Sequence, residues 1–216
     1  MSAEGCHSIV LVPFLDHIDP RCEQALQSLE RLGHIIRRVQ GYSAIDLGRS
    51  ILASQALADG FDEILWIDSD IVFDPADVEK LRRRELGYVC GLYPKKRAKG
   101  FACQFLPGTT AVPFGKAGGL HEVRYAGLGF TLTRRAVYDA IRTKFQLPEC
   151  NRRFGTPFHP YFQPMTIPDG DGHWYLTEDY SFGERARQAG ISLFADTTIR
   201  LLHIGTHAYS WDDVGR

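Results

Sequence analysis

The chain has 216 residues, 44% of them hydrophobic, and balances 25 Lys and Arg against 26 Asp and Glu for a formal net charge of -1. That length holds one domain with a substantial core, and near-neutrality excludes broad electrostatic binding to nucleic acid or anionic lipid. No apolar run approaches the roughly 20 residues of a membrane span, the start MSAEGCHSIV lacks a signal-peptide pattern, and five widely spaced cysteines with no C-x-x-C pair read as free thiols, so a cytoplasmic protein is expected.

SIVLVPF, Ser8 to Phe14, is a short apolar run that reads as a first strand. In PRCEQALQSLERLG, Pro20 suits a first helical turn, Ala25, Leu26, Leu29 and Leu32 fall at helical spacing, and Gly33 is a stop. HIIRRVQ reads as a second strand. SAIDLGRSILASQALADG reads as a second helix, with Ser43 or Asp46 as its cap. DEILWIDSD is a third strand, DPADVEKLRRR opens a helix on Asp-Pro, and GYVCGLYP is a fourth strand. Alternation of this kind predicts an α/β fold with a mostly parallel central sheet flanked by helices. Near-continuous apolar strands are those of a sheet covered on both faces.

The second half changes character. GLHEVRYAG and GFTLTRR are strand-like, RRAVYDAIRTKF is a helix, and PECNRRFGTPFHPYFQPMTIPDGDG is a loop rich in proline and aromatics. EDYSFGERARQAG is a last helix, and ISLFAD and IRLLHIG are closing strands. There are no repeats, so the chain reads as a single domain over 1–216 with mixed strands in its second half.

ILWIDSDIVFDP, Ile64 to Pro75, sets Asp68 and Asp70 one residue apart at the end of the third strand. Ligands of α/β sheets bind beyond the carboxyl ends of the strands. Two carboxylates at this spacing point the same way and repel, so either both are well solvated or a cation lies against them. Hard ions such as Mg²⁺ or Mn²⁺ take carboxylate oxygens, and Mn²⁺ also accepts imidazole. A bare D-x-D carries little information; DGD at Asp169 to Asp171 reads as a turn, and the first pair could equally cap the helix that follows. Two families end an apolar strand in this way. In haloacid-dehalogenase-type phosphatases the first Asp is a nucleophile. In GT-A glycosyltransferases the pair binds a metal that grips a nucleotide-sugar diphosphate.

The order of motifs favours the second family. VPF on the first strand, GRSILASQAL, ILWIDSDIVFDPADVEKL, GYVCGLYPKK, YAGLGFTLTRRAVYDAI, YLTEDYSFGERARQAGISLFAD and IRLLHIG together resemble small nucleotide-sugar glycosyltransferases of the GT-A superfamily over most of the length. The resemblance implies a nucleotide-binding half over 1–95 and an acceptor and catalytic half over 96–216. It implies a Mn²⁺ or Mg²⁺ cofactor held by Asp70, by Asp68 as second ligand or ribose contact, and by His203, with His207 as the fallback. Asp179 would remove the acceptor proton in an inverting reaction, with Glu178 as second choice. Acids in a first helical turn also simply favour the positive end of the dipole. The donor implied is a UDP-sugar, the acceptor a glycan or other hydroxyl; the rivals are the phosphatase and a non-catalytic nucleotide-sugar binding domain.

Other positions carry two readings. Arg49 lies away from Leu47 and Ile51 on a helical wheel, where an arginine is solvated, yet the resemblance sets it near the nucleotide and the first Asp. Pro13, Phe14 and Ser69 would lie by the nucleotide. Tyr93 and Lys95 reach phosphate or acceptor, or ride on a basic loop. Gly127 and Gly129 let backbone approach the sugar, or mark a bulge. Phe158, Tyr161, Phe162 and Trp174 stack on sugar, or pack their loop down.

Overall fold

The computed structural model describes residues 7–96, 99–205 and 208–214. The helices are α1 (Pro20–Arg31), α2 (Ile45–Ala58), α3 (Ala76–Arg82), α4 (Arg135–Phe145) and α5 (Glu178–Gln188). Eight strands form one sheet: β1 (Ser8–Phe14), β2 (Ile35–Gln40), β3 (Glu63–Ile67), β5 (Tyr88–Cys90), β6 (Cys103–Phe105), β7 (Leu120–Ala126), β8 (Phe130–Arg134) and β11 (Leu193–Asp196). Outside it lie a hairpin of β9 (Met165–Asp169) and β10 (Gly172–Leu176), and a small sheet of β4 (Ile71–Val72), β12 (Leu202–Ile204) and β13 (Ala208–Tyr209).

Local chemistry sets the first elements. Pro20 opens α1, and the Asp19 side chain accepts from the Arg21 amide at 2.9 Å as its cap. Cys22, Ala25, Leu26 and Leu29 turn inward, whereas Leu32 falls at the C-cap and is exposed. Neither Ser43 nor Asp46 caps α2. Its N-cap is Ala44, without a side-chain bond. The entry to that helix is set by packing instead, since a Cβ on Gly48 would meet the Tyr42 ring at 2.6 Å.

Successive strand residues feed opposite faces of the sheet. Ile9, Leu11, Ile64 and Trp66 pack with Leu52, Ala53 and Ala56 of α2, Val137, Tyr138 and Ile141 of α4, and Phe182 and Ala186 of α5. Val10, Val12, Leu65 and Ile67 pack with α1 and with Val78 and Leu81 of α3.

The sheet order is β2-β1-β3-β8-β5-β11-β7-β6. β1–β2, β1–β3 and β5–β11 are parallel, while β3–β8, β5–β8, β7–β11 and β6–β7 are antiparallel. The expected mostly parallel sheet is therefore mixed. The reason is that β8 runs down between β3 and β5, and β7 beside β11, so strands of the second half interleave with those of the first. The expected turn at Asp169 to Asp171 is the tip of the β9–β10 hairpin, where Gly170 takes φ 58°.

Candidate functional site

At the carboxyl ends of β1 and β3 lies a cleft of about 330 Å³. Pro13, Phe14, Asp68, Ser69, Asp70, Arg49, Glu178 and His203 line it, together with Leu15, Tyr42 and Ile45. Eight of the positions singled out in the sequence thus converge, from five separate stretches of chain.

The acids are delivered by β3. The Asp68 amide donates to the Gly129 carbonyl at 3.0 Å, and a tight turn closes when the Ile71 amide donates to the Asp68 carbonyl at 3.1 Å. That turn feeds β4, whose partner is β12, with His203 opposite Ile71. The Ile204 amide donates to the Asp70 carbonyl at 2.8 Å. Two-residue β4 is therefore what brings a late strand onto the D-x-D turn. It holds His203 Nε2 3.6 Å from Asp70 Oδ1.

His203 Nδ1 lies 2.8 Å from the Pro94 carbonyl, which only accepts, so Nδ1 carries the proton and Nε2 faces Asp70 with its lone pair. Burial holds the imidazole pKa below its usual value, which keeps the ring neutral. A neutral imidazole nitrogen beside a carboxylate is a donor set that suits Mn²⁺. Among the described residues no group of three or more His, Cys, Asp and Glu side chains is gathered around one point. Asp70 and His203 make a pair, and Asp68 turns toward Arg49. His207 lies outside the described residues.

Arg49 is 3% exposed, so the solvated position expected from the helical wheel is corrected. Its burial comes from partners on other elements. Its Nη2 donates to Asp68 Oδ1 at 2.6 Å, its Nε is 3.8 Å from Glu178 Oε1, and the guanidinium sits 5.2 Å over the Trp66 ring. Nε and Nη1 are buried without a hydrogen-bond partner. Such orphaned charged donors are costly unless something else accepts from them.

Glu178 and Asp179 open α5 after the N-cap Thr177. Asp179 Oδ1 accepts from the Thr177 hydroxyl at 2.7 Å and from the Tyr180 amide at 2.7 Å. Burial raises the pKa of both carboxyls above the ordinary range, with the two acids reinforcing each other at Glu178. Glu178 lines the cleft, and Asp179 follows it in the same first turn of α5.

Other positions fall elsewhere. Tyr93 is buried, with its ring edge-on to His203 at 5.0 Å and its hydroxyl accepting from the Gly129 amide at 3.0 Å. A Cβ on Gly127 would lie 2.3 Å from the Tyr93 hydroxyl and one on Gly129 2.8 Å from it, so these glycines make room for that ring. Lys95 is exposed; its neighbour Lys96 pairs with Asp70. Trp174 packs edge-on to Tyr125 and Tyr180, 5.6 and 6.1 Å away, in a cluster under the β9–β10 hairpin. Phe158, Tyr161 and Phe162 are buried, and Phe162 stacks on Phe182 at 4.5 Å. Leu15, Tyr42, Ile45 and Lys96 were missed by sequence reasoning. Only Lys96 had a signal, as the second lysine of YPKKR.

A larger cleft, about 740 Å³, lies at the opposite end of β3 and is lined by Asp62, Glu63, Arg82, Arg134 and Arg135 among others. Its acids are taken up by arginines: Glu63 accepts from Arg82 at 2.7 Å and pairs with Arg134 at 3.0 Å, and Asp62 pairs with Arg135 at 3.1 Å, although Arg134 Nε is left without a partner. The smaller cleft, with converging acids, a lone-pair imidazole and a guanidinium that leaves two buried nitrogens without partners, is the better site.

No helix among the described residues is long and apolar enough to cross a membrane. No protein-family model matches the chain, and no curated protein matches it in sequence. Among solved structures, S. aureus TarS 1-349 gives a TM-score of 0.43 at 13% identity over 94% of this chain and 59% of that one. A glycosyltransferase involved in the glycosylation of the major capsid of PBCV-1 gives 0.36 at 12% identity, over 65% of this chain and 66% of that one. A197 from STIV matches with a TM-score of 0.61 at 16% identity, covering 97% of each chain, and the present chain shares its fold.

Proposed function

We propose that the chain is a glycosyltransferase of GT-A type. It moves a sugar from a nucleoside-diphosphate sugar, UDP-sugar favoured, to a hydroxyl acceptor with inversion, and it requires Mn²⁺ or Mg²⁺. The observation that carries this reading is the β4–β12 pairing, which sets His203 Nε2 3.6 Å from Asp70 beside the Asp68–Arg49–Glu178 group. In this reading Asp70 and His203 would hold the ion, with a carboxylate oxygen and a neutral imidazole nitrogen. The ion supplies positive charge against which a departing diphosphate is stabilised.

Asp68 orients Arg49 and contacts ribose. The unpartnered Nε and Nη1 of Arg49 give donors to the nucleotide side of the cleft. Pro13, Phe14 and Ser69 wall the nucleotide. Asp179 takes the acceptor proton on Oδ2, the oxygen that Thr177 and Tyr180 leave free; its raised pKa makes it the stronger base for that step. Glu178 holds Arg49 against the cleft. The 1–95 half then binds the donor and the 96–216 half brings the base.

Thermal melting with UDP tests the reading. The melting temperature should rise with UDP plus Mn²⁺, stay put with UDP in EDTA, and lose the shift in Asp70→Ala. An equal shift in EDTA refutes it. Asp179→Asn should keep the shift and lose sugar transfer. Covalent trapping of Asp68 by fluoroberyllate would turn the assignment to the phosphatase, and UDP binding without even slow donor hydrolysis would turn it to a binding domain.

A further inference from the structure

Lys96 is the one described cation in contact with Asp70. Its ammonium lies on Asp70 Oδ2 while His203 Nε2 faces Oδ1. The contact has a built seat. A Cβ on Gly205 would lie 3.2 Å from Lys96 Cδ and 3.6 Å from Cγ, so the glycine that ends LHIG leaves room for the lysine stem to cross it. The backbone before Lys96 is fixed as well: the Lys95 amide donates to the Gly100 carbonyl at 2.9 Å, and Pro94 bridges Phe101. Among the described residues, three carboxylates, Asp68, Asp70 and Glu178, are paired with two cations, Arg49 and Lys96.

We propose that Lys96 stands in for the divalent ion at Asp70 when the site is unloaded, and passes to the donor's diphosphate when the ion takes its place. The idea rests on the cation-dependent reading above. An ammonium and a doubly charged ion repel when both are within a few ångströms of one carboxylate, so only one of them holds Asp70 at a time. A lysine is a compact charge on a flexible stem. Pinned at Gly205, the displaced ammonium stays within a side chain's length of the cleft, where the charge left uncompensated is that of the diphosphate. Lys96 thus works against metal binding alone and in favour of metal and nucleotide together, which makes loading of the two mutually dependent.

Mn²⁺ binding without nucleotide, read by the electron paramagnetic resonance of the free ion, tests the first half. Lys96→Met should bind Mn²⁺ about fivefold more tightly than wild type, the worth of one part-exposed ion pair. At saturating Mn²⁺, UDP measured by calorimetry should bind about fivefold more weakly to Lys96→Met, with Lys96→Arg close to wild type. Lys96→Gln serves as a second neutral variant should the methionine fail to fold. Mn²⁺ affinity that is unchanged or weaker in the neutral variants overturns the stand-in, and unchanged UDP affinity overturns the transfer to diphosphate. If neither wild type nor variant binds Mn²⁺, or Asp70→Asn binds it as well as wild type, the cation reading itself falls and takes this inference with it.

Discussion

Gly127→Ala offers a quantitative check on how the site is supported. Gly127 has no need of a left-handed backbone, so a methyl group is refused only by space. Its Cβ would sit 2.3 Å from the Tyr93 hydroxyl and 3.1 Å from the ring carbon that bears it. Tyr93 is 6% exposed and wedged beneath His203, so it has nowhere to retreat. Overpacking of this kind costs about 1–3 kcal/mol, which for a chain of this size lowers Tm by roughly 2–4 °C per kcal/mol. Tyr93→Phe alone removes the acceptor of the buried Gly129 amide and also costs about 1–3 kcal/mol. The double variant should cost less than the two added together, by about 1 kcal/mol or more, because the methyl group enters the volume the hydroxyl vacates. Urea denaturation of wild type, both single variants and the double measures the coupling. Additivity within about 0.5 kcal/mol would refute the claim that this glycine exists to seat Tyr93.

Acidity gives further checks. Asp179 has a folded pKa raised by burial, so the folded state holds its proton more tightly than the unfolded chain. This carboxyl therefore takes stability away as pH rises from the unfolded carboxylate range through the raised folded value. Asp179→Asn should melt higher than wild type at pH 7.5, and the gain should vanish near pH 4; a gain independent of pH would contradict the burial argument. Asp196 behaves oppositely. It is fully buried, yet bonds from Thr198 at 2.6 and 3.0 Å and from Arg84 at 2.8 and 2.9 Å outweigh burial and hold its pKa down. That stability is present above the unfolded value and is lost as pH falls through the folded one. Arg84→Met should cost about 2–3 kcal/mol at pH 7, below the full cost of breaking a buried pair because Arg84 is partly exposed; circular dichroism melts should show the deficit shrinking toward pH 3.

Elements fixed by their own side chains were legible in the sequence. β1 and α1 fall where the apolar run, Pro20 and the amphipathic spacing put them, and the cleft lies at strand ends as expected of α/β sheets. What escaped depends on contacts between distant segments. Nothing in GFTLTRR says that β8 enters between β3 and β5, and nothing in IV says that two residues form β4. Arg49 looks like a surface residue on its own helix because its partners, Asp68 and Glu178, come from other elements. Tyr93 and its two glycines could be read as ligand contacts or as loop and bulge residues until the strand and the ring are placed together. Lys96 could not be told from Lys95, since only the fold decides which of two adjacent lysines crosses Gly205.

The insertion of β8 beside β3 also governs how the chain reaches this state. During synthesis β1, α1, β2, α2 and β3 emerge first, and the parallel β1–β2 and β1–β3 pairs can form on their own. The other edge of β3, the apolar Glu63–Ile67 segment, waits for Phe130–Arg134. β5 gains β8 on one edge at the same stage, and its other edge waits longer still for Leu193–Asp196. Pairings of such long range close slowly and leave apolar edges open to misassociation. A nascent chain halted between Arg82 and Phe130 should therefore be the form most dependent on chaperones.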